Sequence, residues 1–256
     1  MKKIYFLLLA TILIASCKPG SKTNNRSEGK PVITVTLEPL RYLTEAIAGD
    51  RFTVVSMVPK GTSPETYDPT PQQLVELARS KAYFRIGYIG FEQTWTDKLT
   101  DNAPHLQFFD MSQGVDLIYD NTHVHHHAAN EKEHQHAIGV EPHIWNSAVN
   151  AQIIAGNILS ALRNIDKGNE DFYLERYNTL CRKIEHTDSL IRQTLATPGA
   201  DHAFMIYHPA LSYFARDYGL HQIPIAAGGK APSPAHLKAL IDTCSSENVH
   251  VIFVQP

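Results

Sequence analysis

One uninterrupted helical segment limits the folds that this chain can adopt. Asn169–Thr197 places apolar and aromatic side chains such as Tyr173, Leu180 and Ile191 at helical spacing, with no glycine or proline inside it. At 1.5 Å per residue a helix of roughly 28 residues is about 40 Å long, more than a small α/β domain needs to cover its sheet. We therefore predict a rigid helix that joins two separate lobes.

Strand and helix patterns alternate on the N-terminal side of this helix. Four β-rich segments are predicted at Val32–Leu37, Phe52–Val58, Ala82–Tyr88 and Leu106–Met111. Helical patterns begin at Pro39, at Pro71 after the N-cap Thr70, at Phe91 and at Ala148. Such alternation is typical of a parallel sheet covered by helices, so the predicted fold class is α/β.

A second alternation begins after Pro198 and Gly199. Strands are predicted at Ala203–Tyr207, Gln222–Ala226 and Val249–Val254, with helices at Ala210–Tyr218 and Ser233–Ser245. Two helices would leave a sheet of three strands poorly covered, so we expect an incomplete second lobe. The predicted domains are residues 31–165 for the first lobe, 166–198 for the linking helix and 199–256 for the second lobe.

The composition fits a globular protein and excludes some partners. A chain of 256 residues with 43% hydrophobic residues can form one large or two ordinary domains. The net charge is -3 and the 23 Lys and Arg residues form no basic stripe, so no nucleic-acid partner is expected. We expect a monomer.

The N-terminus predicts export and a lipid anchor. A basic start is followed by the apolar segment Ile4–Ile14, which is too short to span a bilayer and is typical of a secretory signal. The next residues end in Cys17, and Leu13–Cys17 resembles the lipobox of bacterial lipoproteins, which would make residues 1–17 a signal peptide and Cys17 the lipidated residue. The alternative is an ordinary signal peptide with an incidental cysteine. Polar residues 18–30 are predicted to form a flexible tether from the membrane.

Histidines are concentrated in one segment, between residues 121 and 138. Its imidazoles belong to His123, His125, His126, His127, His134 and His136. The segment has no apolar periodicity and is therefore predicted to be a loop. Because imidazole is the commonest side-chain ligand for zinc, we interpret it as an auxiliary loop that collects metal, the alternative being a purely solubilising insertion.

Three residues are candidate ligands of a fixed metal site. Glu65 lies in the loop after the second strand, His208 follows the strand that ends at Tyr207, and His143 precedes a helix in a proline-fixed turn. Loops at the carboxyl ends of parallel strands line the crevice where ligands bind. Two imidazoles and one carboxylate suit Zn²⁺, and would also accept Mn²⁺ or iron, in a cleft between the lobes.

Other residues near these motifs receive supporting interpretations. Glu141 is a candidate for orienting His143, a common arrangement for metal-bound imidazole. Aromatic side chains near the motifs are interpreted as packing around the site: Tyr67, Trp145 and Tyr213. Histidines without a motif are interpreted as surface residues: His202, His221, His236 and His250. Cys181 and Cys244 are expected to be buried free thiols, although an exported chain could form a bridge, and the lack of a CxxC pair excludes a thiolate zinc site.

Four stretches together resemble a known family. GTSPETYDPTP, EPHIW, YHPALSYFARDYGL and GGKAPSPAHLKAL are similar to the zinc and manganese substrate-binding lipoproteins of bacterial ABC importers. The resemblance runs from about Val32 to the end of the chain. It implies two α/β lobes joined by one long helix, metal-ligand roles for His143 and His208, and a membrane permease and an ATPase as partners. In that family an acidic His-rich loop goes with zinc.

The chain departs from the family pattern at two points. The family usually has a histidine in the first loop where this chain has Glu65, and a carboxylate favours harder cations somewhat more than imidazole does. The resemblance also implies a fourth, acidic ligand near the C-terminus, which would lie beyond Pro256.

The expected function is therefore capture of Zn²⁺ in the cleft between the lobes and its delivery to the membrane permease of an ABC importer, without chemistry. A receptor for Mn²⁺ or Fe²⁺ and a surface metal scavenger or adhesin are alternatives with the same fold. A zinc hydrolase is a third alternative, with Glu141 or Asp68 as general base, because three ligands and an open position also make a catalytic site. The chain has no HExxH, GxSxG or Gly-rich phosphate motif, so no enzyme activity is expected.

Overall fold

The structure is a computed structural model that describes residues 29–119, 139–226, 232–247 and 249–254. Three predicted features lie outside the described residues: the signal peptide with Cys17, the tether as far as residue 28, and the His-rich loop.

The first lobe is an α/β unit whose four strands are all parallel. Its strands are β1 (Val32–Val35), β2 (Thr53–Ser56), β3 (Ala82–Arg85) and β4 (Gln107–Asp110). Its helices are α1 (Glu38–Ala48), α2 (Pro71–Ala78), α3 (Gly90–Asn102) and α4 (Ala148–Ile165). The strand order is β2-β1-β3-β4, so the chain crosses over the sheet between successive strands, as the alternating pattern predicts.

Local sequence signals set the helix starts of this lobe. Pro39 lies in the first turn of α1. A backbone N–H at this position has no acceptor within the helix, so the N–H that proline lacks costs no hydrogen bond. Thr70 caps α2 by accepting a hydrogen bond from the backbone N–H of Gln73, and the Gln73 side chain accepts one from the backbone N–H of Thr70. This reciprocal cap fixes the point at which the preceding loop, which carries Glu65, enters the helix.

The long helix is α5, which spans Glu170–Leu195 after a short 3-10 turn. Its 26 residues give a length of about 39 Å at 1.5 Å per residue. It packs against α1 and α4 through buried Tyr173 and Leu180, while its distal half is largely exposed. The predicted linking helix between two lobes is confirmed.

The second lobe repeats the parallel α/β arrangement on a smaller scale. It comprises β5 (Ala203–Ile206), α6 (Ser212–Tyr218), β6 (His221–Pro224), α7 (Pro234–Ser246) and β7 (Ile252–Phe253). The strand order is β6-β5-β7, with both pairings parallel. The strands of both lobes are shorter than predicted because their apolar patterns continue into the loops that leave the sheets.

The hydrophobic core lies mainly in the first lobe. One continuous cluster connects its sheet with α1, α4 and α5, and Tyr213 of α6 is the residue through which the second lobe joins it. The second lobe has two small clusters of its own, around Phe204 and around Met205. The two lobes are therefore held together partly by insertion of one second-lobe aromatic ring into the first-lobe core.

Two further observations concern membrane helices and thiols. Within the described part of the chain, no helix has both the length and the hydropathy that crossing a bilayer requires. Cys181 and Cys244 are free, and both are half-buried rather than fully buried as expected, because each lies on the partly exposed side of its helix.

Two leucines of α5 test how the long helix is anchored. Leu180 is 3% exposed and Leu190 is 48% exposed. We expect Leu180→Ala to lower the free energy of unfolding by roughly 3 kcal/mol, because it leaves a cavity between α5 and the first lobe. The matched Leu190→Ala should change it by less than about 0.5 kcal/mol. Urea unfolding of both variants without metal measures the difference, and equal losses would contradict this packing.

Candidate metal centre

Three donor groups from three separate loops meet between the two lobes. Glu65 Oε1 lies 2.6 Å from His208 Nε2 and 3.3 Å from His143 Nε2. The two Nε2 atoms are 3.3 Å apart. Within the described ranges, these residues form the one group of three or more His, Cys, Asp or Glu whose ligand atoms could share a metal ion. The structure thus brings together the three residues that the sequence selects.

The loop that carries Glu65 is anchored to two helices of the first lobe. The Tyr67 hydroxyl donates to Gln73 Oε1 at 2.7 Å, and the Tyr67 ring packs edge-on against Phe91 with centroids 5.4 Å apart. Trp95 Nε1 donates to Asp68 Oδ1 at 3.3 Å. Tyr67 and Asp68 are thus fixed to α2 and α3. Because they follow Glu65 closely in the sequence, they hold the loop so that the Glu65 carboxylate faces the cleft.

His143 is held from behind by the acid two residues before it. The Glu141 carboxylate contacts His143 Nδ1 and also accepts the backbone N–H of His143 at 3.0 Å. A ring whose Nδ1–H donates to a carboxylate leaves the Nε2 lone pair for a metal. The orienting role predicted for Glu141 therefore has a direct geometric basis, and Trp145 packs edge-on against the ring, 5.1 Å away.

His208 reaches the site from the other lobe. It follows β5, and its backbone carbonyl accepts the N–H of Ala210 at 2.7 Å, which closes a tight turn. Asn146 Nδ2 of the first lobe donates to the carbonyl of Ala210 at 2.9 Å. The turn that carries His208 is thereby attached to the segment that carries His143.

The charges of the three groups depend on one another. Burial by itself would lower the pKa of His143, but the carboxylates of Glu141 and Glu65 outweigh this effect and raise it to about 9. Burial would raise the pKa of Glu65, but hydrogen bonds from His143 and His208 and their charge bring it to about 2. One carboxylate oxygen and two ring nitrogens facing a common point repel one another unless a cation lies between them. The cluster therefore fits either a proton or a metal ion.

The four histidines that the sequence analysis interprets as surface residues do not belong to this group. His202 is exposed, and His221 and His250 pair with Glu247 and Asp201 at 2.5 and 3.0 Å. His236 is half-buried. The surface interpretation is thus correct for three of the four, and the pairing of two of them with acids was not predicted.

Comparison with known proteins relates the whole described body to one family. The sequence profile of the family described as zinc-uptake complex component A, periplasmic, matches residues 33–256. The high-affinity zinc uptake system protein ZnuA of Bacillus subtilis is 27% identical over 98% of this chain and 80% of its own length. The manganese ABC transporter substrate-binding lipoprotein PsaA of Streptococcus mitis is 27% identical over 100% of this chain and 82% of its own length.

Solved structures share the fold. A crystal structure of ZnuA superimposes with a TM-score of 0.77 and 35% identity, covering 88% of this chain and 82% of that one. A deletion mutant of ZnuA with zinc bound gives a TM-score of 0.75 and 34% identity, over 88% of this chain and 80% of that one. The two-lobed α/β architecture is therefore shared with these proteins.

The raised pKa of His143 predicts how the stability of the ion-free protein depends on pH. The folded pKa, about 9, exceeds the ordinary value of 6.5, so the stabilisation is complete below about pH 6.5 and is lost as the pH rises through about 9. We expect a loss on the order of 2 kcal/mol across this window. Urea unfolding in chelator at pH 6, 7.5 and 9 measures it.

The matched control is His143→Gln, which keeps a polar side chain but cannot titrate. Its stability should show a smaller fall than the wild type over the same window. Parallel curves for the two proteins would mean that His143 does not bind the proton.

Proposed function

Because the chain belongs to the zinc-uptake complex component A family, we propose that it is the substrate-binding component of a metal ABC importer and captures Zn²⁺ between its lobes. In this proposal Glu65, His143 and His208 are the protein ligands of the ion. The observation that carries the proposal is the convergence of Glu65 Oε1 and the two Nε2 atoms within 4.8 Å of one another, from loops of both lobes.

The donor set suits a borderline cation. Zinc is commonly bound by two imidazoles and a carboxylate with one position left for a further ligand. Glu141 supplies the outer hydrogen bond that metal-bound histidines usually make. An incoming ion replaces the proton that His143 holds in the ion-free protein, so binding releases this proton and should weaken progressively as the pH falls below about 9.

The arrangement favours binding over hydrolysis. A hydrolase needs a general base beside a metal-bound water. The carboxylate of Glu141 is engaged by His143 Nδ1, on the ring edge that faces away from the cluster. Asp68 accepts a hydrogen bond from Trp95. The two carboxylates that could serve as a general base are thus hydrogen-bonded to other side chains, which supports a receptor without enzyme activity.

The partners and the location follow from the same proposal. The ion would be delivered to a membrane permease driven by an ATPase. The protein would be exported, held at a membrane by lipid on Cys17, and act as a monomer. The histidines between residues 121 and 138 would bind metal weakly in several states and raise its concentration near the cleft.

A manganese receptor is the second candidate, favoured by one residue of the site. Glu65 gives the cluster a carboxylate, and oxygen ligands suit Mn²⁺ better than imidazole does. The relative from Streptococcus mitis is described as a manganese transporter lipoprotein. Zinc remains the main proposal because two of the three donor atoms are imidazole nitrogens.

Calorimetric titration of the mature protein with Zn²⁺ tests the ligand assignment. We expect one tight site, and His143→Ala and His208→Ala should each lower its affinity by more than about 100-fold, since even outer-sphere changes cost 10- to 100-fold. The exposed His202→Ala is the matched control and should have no effect.

The same titration separates the site from the His-rich loop. A variant without residues 123–136 should keep the tight site and lose only weaker binding. Loss of the tight site on deletion of this loop, or unchanged affinity in both His→Ala variants, would contradict the assignment.

Replacement of Glu65 tests which metal the cluster prefers. Glu65→His would exchange an oxygen ligand for a nitrogen ligand, so we expect the ratio of Zn²⁺ to Mn²⁺ affinity to rise by about tenfold. Glu76→His, an exposed change on α2, is the control and should leave the ratio unchanged. Paired titrations with both ions measure the ratio, and a fall in it would contradict the role of Glu65.

A further inference from the structure

Tyr213 occupies an unusual position for a residue that belongs to the second lobe. It lies on α6 and is 0% exposed, with its ring inside the first-lobe core. Its hydroxyl accepts a hydrogen bond from the backbone N–H of Ile118 at 3.2 Å and donates one to the backbone carbonyl of Glu141 at 2.8 Å. Burial raises the pKa of Tyr213 to about 12, so the hydroxyl keeps its proton at neutral pH.

The two backbone groups held by this hydroxyl belong to segments that pair with each other. The N–H of Glu141 donates to the carbonyl of Ile118 at 2.9 Å, and Tyr119 and Val140 form an antiparallel bridge. The Tyr213 hydroxyl therefore fixes the two paired segments at a single point. Neither of these segments belongs to the sheet of the first lobe, so the sheet does not fix their position.

A second side chain of α6 supports the same contact. Arg216, one turn after Tyr213, donates from Nη1 to the backbone carbonyl of Asp116 at 2.6 Å. Its guanidinium also lies over the Tyr213 ring, 5.1 Å from the ring centre. Tyr213 and Arg216 together hold residues 116, 118 and 141 against the second lobe.

The geometry points to Tyr213 as a positioning residue for the metal site: it fixes the backbone of Glu141, and Glu141 in turn fixes the ring of His143. This inference rests on the proposed function, since it assumes that His143 is a ligand. His208 and Tyr213 both come from the second lobe, so the lobe that supplies one ligand directly also orients the ligand of the other lobe.

The expected effect follows from the chemistry of the hydroxyl. Tyr213→Phe keeps the buried ring but leaves the N–H of Ile118 without its acceptor and removes the donor to the carbonyl of Glu141. The peptide at Glu141 can then shift, and the carboxylate no longer holds His143 Nδ1 in one place. We expect the Zn²⁺ affinity to fall by about tenfold, the size typical of changes just outside a metal's ligands.

A buried tyrosine far from the cluster provides a matched control. Tyr173 is also 0% exposed, and its hydroxyl donates to the carboxylate of Asp166, the residue directly after α4. Tyr173→Phe and Tyr213→Phe should both lower the melting temperature, whereas only Tyr213→Phe should weaken Zn²⁺ binding in calorimetric titration of the mature, full-length protein.

A double-mutant cycle tests whether Tyr213 acts through Glu141. In a Glu141→Ala background the orienting carboxylate is absent, so adding Tyr213→Phe should change the Zn²⁺ affinity by less than about twofold. In parallel, with Zn²⁺ bound, the ¹⁵N chemical shifts of the His143 ring should report one form, protonated at Nδ1, in the wild type and exchange-broadened signals in Tyr213→Phe.

Three outcomes would overturn the inference. Unchanged Zn²⁺ affinity in Tyr213→Phe, an equal loss in Tyr173→Phe, or a full tenfold loss in the Glu141→Ala background would each show that the hydroxyl does not position His143. Failure of the wild type to bind Zn²⁺ at all would instead overturn the proposed function, so the two failures are distinguishable.

Discussion

The meeting of one carboxylate oxygen and two ring nitrogens is the interaction on which the rest of the structure depends. These three atoms carry lone pairs that face a common point, and such an arrangement is stable only with a positive charge between them. In the ion-free protein a proton on His143 supplies this charge, because the carboxylates of Glu141 and Glu65 raise the pKa of that ring, and hydrogen bonds from both histidines lower the pKa of Glu65. Under the proposed ligand assignment, a metal ion would take the place that the proton leaves.

The fold brings these three atoms together although their residues are far apart in the sequence. Glu65 and His143 belong to the first lobe and His208 to the second, so the cluster requires a defined distance between lobes. The long helix α5 sets the separation on one side, and the contacts of Asn146 and Tyr213 set it beside the cluster. In this arrangement His208 Nε2 lies 2.6 Å from Glu65 Oε1.

The sequence predicted the fold and the three cluster residues because their signals are local or topological. The strand and helix alternation, the Thr70 cap and the uninterrupted α5 can all be identified from short stretches, and parallel strands bring their carboxyl ends to one edge. The hydrogen bonds of Tyr213 could not be predicted in this way. They depend on the angle at which α6 packs against residues 118 and 141, and a tyrosine at this position has the sequence pattern of ordinary core packing.

Under the proposed ligand assignment, the different exposure of the three residues would set the order in which they contact an incoming ion. The side chain of His143 is 7% exposed, whereas those of His208 and Glu65 are 30% and 39% exposed. An ion that arrives from solvent therefore meets the carboxylate and His208 first, where it can keep part of its water shell. It reaches His143 last, and that step requires the ring to be already oriented, because a buried imidazole has little freedom to turn towards the ion. The hydrogen bonds from Tyr213 to Glu141 and from Glu141 to His143 would consequently act on the last step of binding, in which the most buried of the three side chains contacts the ion.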